Sequence, residues 1–326
     1  MPEVDIVLPA ALWESLGLPL LRLLAGLAAG LLLASMLESL NWARFLARPA
    51  RPLARAAHLS ESSCAAFALS FVSPAAANSL LADAHSGGLI SGRELILANL
   101  FNSLPAYMVH TPSIFLLAWP VLGPPAVVYV GLTLLAAAGR TGFTVILAAM
   151  ALPAAKDPAM AAAAPELAPA GGVRPRDALK RAGRCFVRRL PRLVLITVPV
   201  YALMYVLQRL GQFERLEEWL GMHMAWLGFL KPEAMGVVVL HLAAEFGAAL
   251  GAAGFALQSG ALAPRDIVLA LMVGNILSTP VRALRHQLPA YAGFFRPPLA
   301  LKLVLANQAL RAVSMAIVAT LYYWYT

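Results

Sequence analysis

Two stretches decide the fold of this chain: residues 86–105, SGGLISGRELILANLFNSLP, and residues 259–280, SGALAPRDIVLALMVGNILSTP. One constant offset of 173 residues brings Ser86-Gly87 onto Ser259-Gly260, Asn102 onto Asn275, and Pro124-Pro125 onto Pro297-Pro298. Chance similarity between Leu- and Ala-rich helices aligns apolar residues readily, but it does not align Ser-Gly, Asn and Pro-Pro together. The pattern therefore predicts an internal duplication, a recurring feature of transporter folds.

The composition predicts a membrane protein. The 326 residues are 60% hydrophobic and only 13% charged, a balance that is too apolar for a water-soluble surface. Several apolar stretches approach or exceed the roughly 20 residues with which a helix crosses a bilayer. We therefore expect an all-α integral membrane protein of a bacterial or archaeal cytoplasmic membrane, in contact with lipid and present as a monomer or a homo-oligomer.

The basic residues predict the orientation of the chain. Residues 42–57 carry four arginines and no acid, and residues 151–192 carry nine basic residues against three acidic ones. Because Lys and Arg collect in cytoplasmic loops, both segments are expected in the cytoplasm, with the N-terminus outside. The counterpart of the first loop, residues 211–222, carries three glutamates against one arginine and is free to lie outside. The two halves then have inverted topologies.

The resulting organisation has three parts. We assign residues 1–150 to a first membrane repeat, residues 151–190 to a basic cytoplasmic linker, and residues 191–326 to a second, inverted repeat.

The number of crossings predicts one interrupted segment in each half. An even number must separate the two cytoplasmic loops, yet three apolar segments lie between them. Ser73-Pro74 interrupts residues 61–84, because proline removes a helical hydrogen bond and clashes with the preceding turn. Residues 233–257 carry Glu245-Phe246-Gly247 at the corresponding place, and a break is expected there too. Each segment would be a re-entrant hairpin or a broken helix whose free backbone groups face protein or water.

Glu245 and His241 are the most informative candidate site residues. Burying an ionisable group inside an apolar segment costs free energy, so its presence there indicates a functional or structural role. His241 lies one helical turn before Glu245 and on the same face, where the pair is suited to bind a cation, carry a proton or contact a polar solute. The alternative is structural: backbone amides freed at the break satisfy Glu245, and a neighbouring helix satisfies His241.

Further candidate binding residues are polar side chains close to the expected breaks and kinks. They are Ser73, Asn78, Asn102, Asn275 and Thr279. Half-helix ends expose amides and carbonyls that bind ions or polar groups. The two asparagines precede Pro105 and Pro280, so they either line one cavity from opposite sides or satisfy the backbone at two kinks.

The arginines of the apolar segments are expected to act as topology anchors at cytoplasmic helix ends. This expectation covers Arg140, Arg282 and Arg285, and we assign the same anchoring role to Arg311.

Several protein classes find no support in the sequence. The chain has no His-Glu-x-x-His, Gly-x-Ser-x-Gly or Gly-x-Gly-x-x-Gly motif, so we expect no enzyme, no catalytic residue and no cofactor. Cys64 and Cys185 lie far apart and have no Cys or His at metal-ligand spacing, which indicates no metal site. The net charge of +9 resides in loops between apolar segments, a distribution that disfavours a nucleic-acid partner.

The two repeated stretches resemble the Gate, or nucleoside-recognition-domain, integral membrane proteins. The resemblance rests on the Ser-Pro break, on SGGLISGRE and NSLP, and on their second versions SGALAPRD and GNILSTPVR. It covers roughly residues 60–145 and 230–315. It implies kinship with concentrative nucleoside transporters, with the membrane part of ferrous-iron transporters and with spore-maturation membrane proteins. The chain shows no P-loop, so a coupled ferrous-iron system would need a separate GTPase.

Three functions are compatible with these features. The first is a secondary transporter that moves a small polar or ionic solute, nucleoside-like or a metal or other ion, by alternating access. The second is a non-transporting membrane assembly or signalling protein of the spore-maturation type. The third is a passive ion conduit.

Overall fold

Every regular element of the structure, a computed structural model, is a helix in the part of the chain that it describes. That part comprises residues 12–39, 52–53, 56–71, 73–153, 175–210 and 229–326, and for some helical residues it covers the backbone alone. The helices in chain order are α1 (Leu18–Ser39), α2 (Glu61–Ser70), α3 (Pro74–Ser86), α4 (Gly92–Phe101), α5 (Ser103–Leu122), α6 (Pro124–Ala151), α7 (Pro175–Arg209), α8 (Pro232–Gln258), α9 (Pro264–Leu277), α10 (Thr279–Arg282), α11 (Leu288–Ala292) and α12 (Pro297–Tyr325). One π-helical turn, Trp13–Gly17, precedes α1, and another, Ala283–Gln287, joins α10 to α11. The expectation of an all-α chain is confirmed.

Helices α6 and α12 are the two described helices that are long and apolar enough to cross a membrane. Their outward faces carry large apolar side chains: Leu135 on α6 is 57% exposed, and Ile317 on α12 is 55% exposed. A helix with an exposed apolar face of this kind suits a lipid environment better than water. The two helices also pack against each other.

The predicted break at Ser73-Pro74 is present. Helix α2 ends at Ser70 and α3 begins at Pro74. Ser73 is the N-cap of α3, and its Oγ accepts a hydrogen bond from the backbone N–H of Ala76 at 3.2 Å. Proline at the first helical position needs no hydrogen-bond partner, and its ring fixes the φ angle that the new helix requires. The local chemistry of a capping serine followed by proline thus produces two helices in place of one.

The break predicted at Glu245-Phe246-Gly247 is absent. Helix α8 runs without interruption from Pro232 to Gln258. None of the three residues is a proline, so every backbone N–H remains available to the helix. A glycine inside a helix costs only about 1 kcal/mol relative to alanine, which tertiary packing offsets. The prediction of a second broken segment is therefore wrong.

The turns that follow α3 and α8 have the same geometry. Gly88 and Gly260 adopt φ angles of 74° and 72°, a left-handed conformation that favours glycine after a helix C-terminus. Their N–H groups donate to the carbonyls of His85 and Leu257, at 3.1 and 3.3 Å. The two helices therefore end in the same kind of turn, although Ser86-Gly87 lies one residue earlier in its turn than Ser259-Gly260.

The helices that follow these turns are also fixed in a parallel way. Glu94, in the first turn of α4, accepts a hydrogen bond from the backbone N–H of Ser60, the N-cap of α2, at 2.9 Å. Asp266, in the first turn of α9, forms a salt bridge at 2.8 Å with Lys231, the N-cap of α8. In both halves an acidic residue in the first turn of one helix, α4 or α9, thus contacts the N-cap of an earlier helix, α2 or α8.

The direct equivalence of Asn102 and Asn275 is corrected by the helix ends. Asn102 is the C-cap of α4, whereas Asn275 lies inside α9, whose C-cap is Ser278. Helix α9 has 14 residues and α4 has 10, so one additional turn shifts the positions between the two. Measured from the C-cap, the counterpart of Asn275 is Asn99.

The predicted linker is helical in part. Helix α7 begins at Pro175, so the segment 175–190 is helical, and the division of the chain into two repeats and a linker stays a prediction. Three loops carry the predicted orientation: residues 211–222 lie outside the described part of the chain, and residues 42–57 and 151–192 are described only in part.

Candidate functional site

A polar cavity of about 700 Å³ lies among the helices of both halves. This size is typical of small-molecule binding sites, which range from about 300 to 1,000 Å³. Six helices contribute polar side chains to its wall: Asn78 of α3, Tyr107 of α5, Arg140 of α6, His241 of α8, Asn275 of α9 and Arg311 of α12. Since α6 and α12 are the two candidate membrane spans, the cavity lies against both of them.

Four of the residues predicted from sequence line this cavity together. They are Asn78, Asn102, His241 and Asn275. The structure thus brings side chains from four different helices into one site, as expected for the two asparagines if they line a common cavity.

Two other predicted residues have local structural contacts and do not line the cavity. Ser73 caps α3, and the Thr279 hydroxyl donates to the backbone carbonyl of Asn275 at 3.0 Å. The side chain of Glu245 lies outside the described part of the chain. Its neighbour Phe246 contributes to the cavity wall, and a binding role for Glu245 stays a prediction.

Three arginines line the cavity: Arg140, Arg282 and Arg311. Arg140 is 6% exposed and lies near the middle of α6, where its Nε donates to Ser103 Oγ at 3.2 Å. The expectation that Arg140 lies at a helix end is therefore wrong. No aspartate or glutamate belongs to the described cavity wall, so the described wall places no carboxylate beside Arg140 or Arg311.

Asn275 organises two of these arginines. Its side-chain Oδ1 accepts hydrogen bonds from Arg282 at 2.9 Å and from Arg311 at 3.0 Å. Its Nδ2 donates to the hydroxyl of Tyr129 at 2.9 Å. A neutral amide therefore holds two positive charges at one point, and a tyrosine of the other half fixes the amide.

A second asparagine makes the reciprocal contact. Asn99 of α4 donates from Nδ2 to the hydroxyl of Tyr291 in α11 at 3.2 Å, and to Asn78 Oδ1 at 3.3 Å. Each half thus presents an asparagine near the end of a helix to a tyrosine of the other half. These two hydrogen bonds join the halves across the cavity.

Several buried polar atoms of the wall have no hydrogen-bond partner within the described chain. They are both ring nitrogens of His241, both side-chain amide atoms of Asn102 and the Oε1 atom of Gln308. His241 is 2% exposed, with its ring 5.9 Å from that of Phe246. Buried polar groups without partners are costly and rare in native structures, and bound solute or water commonly satisfies them. These atoms are available to a ligand.

Sequence reasoning undervalued the arginines and omitted Asn99, Tyr129 and Tyr291. An arginine in the middle of a long apolar segment was the available signal, because such a residue typically faces a cavity. The two tyrosines carried no comparable signal, since their contacts depend on how distant helices pack.

Metal-ligand chemistry is sparse in this region. Among the described residues, no three His, Cys, Asp or Glu side chains come together as a metal site. The buried Cys64 donates instead to the backbone carbonyl of Leu59 at 3.6 Å.

The fold and the site together define an all-helical protein with two candidate membrane spans and an arginine-lined polar cavity. The chain is similar to the uncharacterized protein MJ0871 of Methanocaldococcus jannaschii, with 26% identity over 260 residues, which are 79% of each chain. No family model matches the chain. No solved structure matches it either.

Proposed function

We propose that this protein is a secondary membrane transporter that moves a small polar or ionic solute by alternating access. The observation that carries the proposal is the cavity, in which the buried Arg140, two half-buried arginines and unpartnered polar atoms lie against two apolar helices. Polar and ionisable residues at membrane depth typically mark substrate or ion pathways. Transporters place such sites near the bilayer midplane, at the interface between structural repeats.

The proposal includes two membrane repeats of inverted topology, with the N-terminus outside. The matching glycine turns, the acidic residues Glu94 and Asp266, and the reciprocal asparagine–tyrosine hydrogen bonds support a duplication. The sequence resemblance to Gate-type membrane proteins supports it as well. Alternating access then consists of one repeat moving against the other around the shared cavity.

Cysteine labelling tests the inversion. In a Cys64→Ala, Cys185→Ala background, single cysteines replace Ala47 in the first basic loop and Gln212 in its acidic counterpart. A membrane-impermeant maleimide is expected to label the two positions from opposite sides of intact vesicles. Labelling of both from the same side contradicts the inverted topology.

Uptake into proteoliposomes tests transport itself. A thermal-shift screen of nucleosides, amino acids, divalent metals and small anions first selects a stabilising solute, and uptake of that radiolabelled solute is then measured. We expect saturable uptake, with a rate or pH dependence that Glu245→Gln alters. Uptake that this substitution leaves unchanged removes Glu245 from the mechanism. Absence of any flux, together with a stable partner on co-purification, identifies an assembly protein instead.

A further inference from the structure

We propose that the cavity selects a small organic anion, one that carries a carboxylate or phosphate group, and that Arg140 and Arg311 bind this group. The inference rests on the proposed function for its setting and narrows the solute to one chemical class.

The charge of the cavity is the first argument. The three guanidinium groups stay protonated in proteins, because the pKa of arginine lies far above the physiological range. The described wall contains no carboxylate to neutralise Arg140 or Arg311. Arg140 and Arg311 together carry two positive charges, so a single carboxylate from Glu245 would still leave one of them uncompensated. A buried cluster of like charges is unfavourable unless an opposite charge joins it, so the cavity is complementary to an anion.

The hydrogen-bonding capacity of the arginines is the second argument. Arg140 donates only from Nε to Ser103 in the described chain, and Arg311 donates only to Asn275. A guanidinium carries five N–H donors in a planar fork, so most donors of both groups remain available. That fork matches the two oxygens of a carboxylate or phosphate, which Arg commonly binds in a bidentate manner.

The other residues of the cavity wall indicate that the anion is an organic molecule and not an inorganic ion. A cavity of about 700 Å³ is far larger than one inorganic ion requires. Asn102 and Gln308 offer donors and acceptors without partners, which suit hydroxyl or amide groups of a solute. Phe246 and Tyr129 stack at a centroid distance of 5.7 Å and add an apolar, aromatic surface.

The same features disfavour a cationic solute. Three arginines repel a metal ion, and the described chain brings no group of three His, Cys, Asp or Glu side chains together. Hard cations prefer several oxygen ligands, carboxylates among them, and the described wall contains no carboxylate.

Thermal unfolding of the full-length protein in detergent tests the inference with matched pairs of probes. Each pair shares one body and differs in charge: succinate and succinamide, benzoate and benzamide, adenosine 5′-monophosphate and adenosine. We expect at least one anion to raise the Tm in a saturable way and its neutral analogue to leave the Tm unchanged. Higher salt should weaken this stabilisation, because screening reduces the attraction.

Substitutions locate the binding group. Arg140→Gln and Arg311→Gln should each lower the apparent affinity for the stabilising anion at least tenfold. The control is Arg188→Gln, which removes one exposed charge from α7, away from the cavity. It should retain the full anion-dependent shift. Where the glutamine variants fail to fold, Arg311→Lys replaces them: it keeps the charge, loses the fork and should weaken binding as well.

Each outcome either supports or contradicts the proposed anion site. The inference is overturned when none of the three anions stabilises the protein, when the neutral analogues stabilise it equally, or when the cavity variants retain the shift. Anion binding without uptake into proteoliposomes supports the anion site and contradicts transport. Saturable uptake of a neutral or cationic solute supports the transport function and contradicts the assignment of an anionic solute.

Discussion

Arg311 of α12 donates a hydrogen bond to the side-chain carbonyl of Asn275 in α9, at 3.0 Å. The same oxygen accepts from Arg282 at 2.9 Å, so one neutral amide holds two half-buried positive charges. The amide positions both guanidinium groups without neutralising their charge. It therefore makes the identity of residue 275 a test of what that charge does.

Asn275→Asp should stabilise the folded protein and lower its affinity for an anion. A carboxylate at this position forms charge-assisted hydrogen bonds with both arginines, and hydrogen bonds to charged groups contribute about 1.5 to 3 kcal/mol. We expect an unchanged or higher Tm without ligand and an apparent affinity for the stabilising anion that is at least tenfold lower. Thermal unfolding with and without the anion measures both quantities.

The matching variant Asn275→Leu removes the hydrogen-bond acceptor without adding a negative charge. It removes the side-chain acceptor of Arg311 and the donor to the Tyr129 hydroxyl, and each unsatisfied buried group costs about 1 to 3 kcal/mol. We expect a lower Tm in the absence of any ligand. An aspartate variant that keeps full anion affinity would show that the solute does not depend on this charge.

Gly274→Ala should displace His241. A Cβ on Gly274 would lie 2.8 Å from the Cβ of His241 and 3.0 Å from its Nδ1, closer than real side chains approach. Overpacking of this kind typically costs about 1 to 3 kcal/mol. We expect a lower Tm together with a reduced anion-dependent shift, since the imidazole faces the cavity.

The control for this substitution is Gly131→Ala in α6. A Cβ on Gly131 would have no neighbour within 4 Å, and alanine favours a helix over glycine by roughly 0.5 to 1 kcal/mol. This variant should be neutral or slightly more stable. Equal losses in the two variants would contradict the close packing of Gly274 on His241.

Local chemistry explains which parts of this structure were predictable. The break at Ser73-Pro74 follows from a cap and a proline, which act within one helical turn, and the Ser-Gly turns follow from glycine at a left-handed position. The expected break at Glu245-Phe246-Gly247 relied on position in the repeat alone, with no residue there that interrupts a helix. Repeats conserve a scaffold more closely than they conserve each local irregularity.

The composition of the cavity was predictable only in part. His241, Asn102 and Asn275 are polar residues in apolar segments, and that contrast identified them. Arg140 shows the same contrast, yet the rule that basic residues flank membrane spans assigned it to a helix end. Its position near the middle of a 28-residue helix depends on where α6 begins and ends, which hydropathy defines poorly.

Ser73→Ala should destabilise the start of α3. The hydroxyl accepts from the backbone N–H of Ala76, and loss of an N-cap typically costs about 1 kcal/mol. Ser73→Asp should retain the stability, because aspartate caps equally well and its charge favours a helix N-terminus. Thermal denaturation of the wild type and the two variants measures the three stabilities.

The control for the cap is Ser62→Ala in the first turn of α2. Ser62 is not an N-cap, and the cap of that helix is Ser60. Alanine is the better helix former, so this variant should be as stable as the wild type or slightly more stable. A loss at Ser62 as large as the loss at Ser73 would show that the cap contributes nothing specific.

The two acidic residues that hold the starts of α2 and α8 should respond differently to pH. Asp266 raises the pKa of Lys231 by hydrogen bonding and by its charge. Because this folded-state pKa lies above that of the unfolded chain, the stabilisation is complete below the ordinary lysine pKa of about 10.4. It is lost as the pH rises through the raised value. Lys231 is 54% exposed, and such pairs contribute about 0 to 1 kcal/mol.

Glu94 supplies the comparison, since its partners carry no titrating proton. Its Oε1 accepts from the Ser60 backbone N–H at 2.9 Å and from the Ser63 hydroxyl at 2.8 Å. Glu94→Gln should therefore lower the unfolding free energy by about 1 to 3 kcal/mol, by the same amount at pH 8 and at pH 11. Asp266→Asn should produce a smaller loss at pH 8, and that loss should shrink at pH 11 as Lys231 deprotonates in the wild-type protein. Unfolding measured at both pH values separates the two contacts: a loss for Asp266→Asn that is undiminished at pH 11 would mean that Lys231 is not the group that Asp266 stabilises.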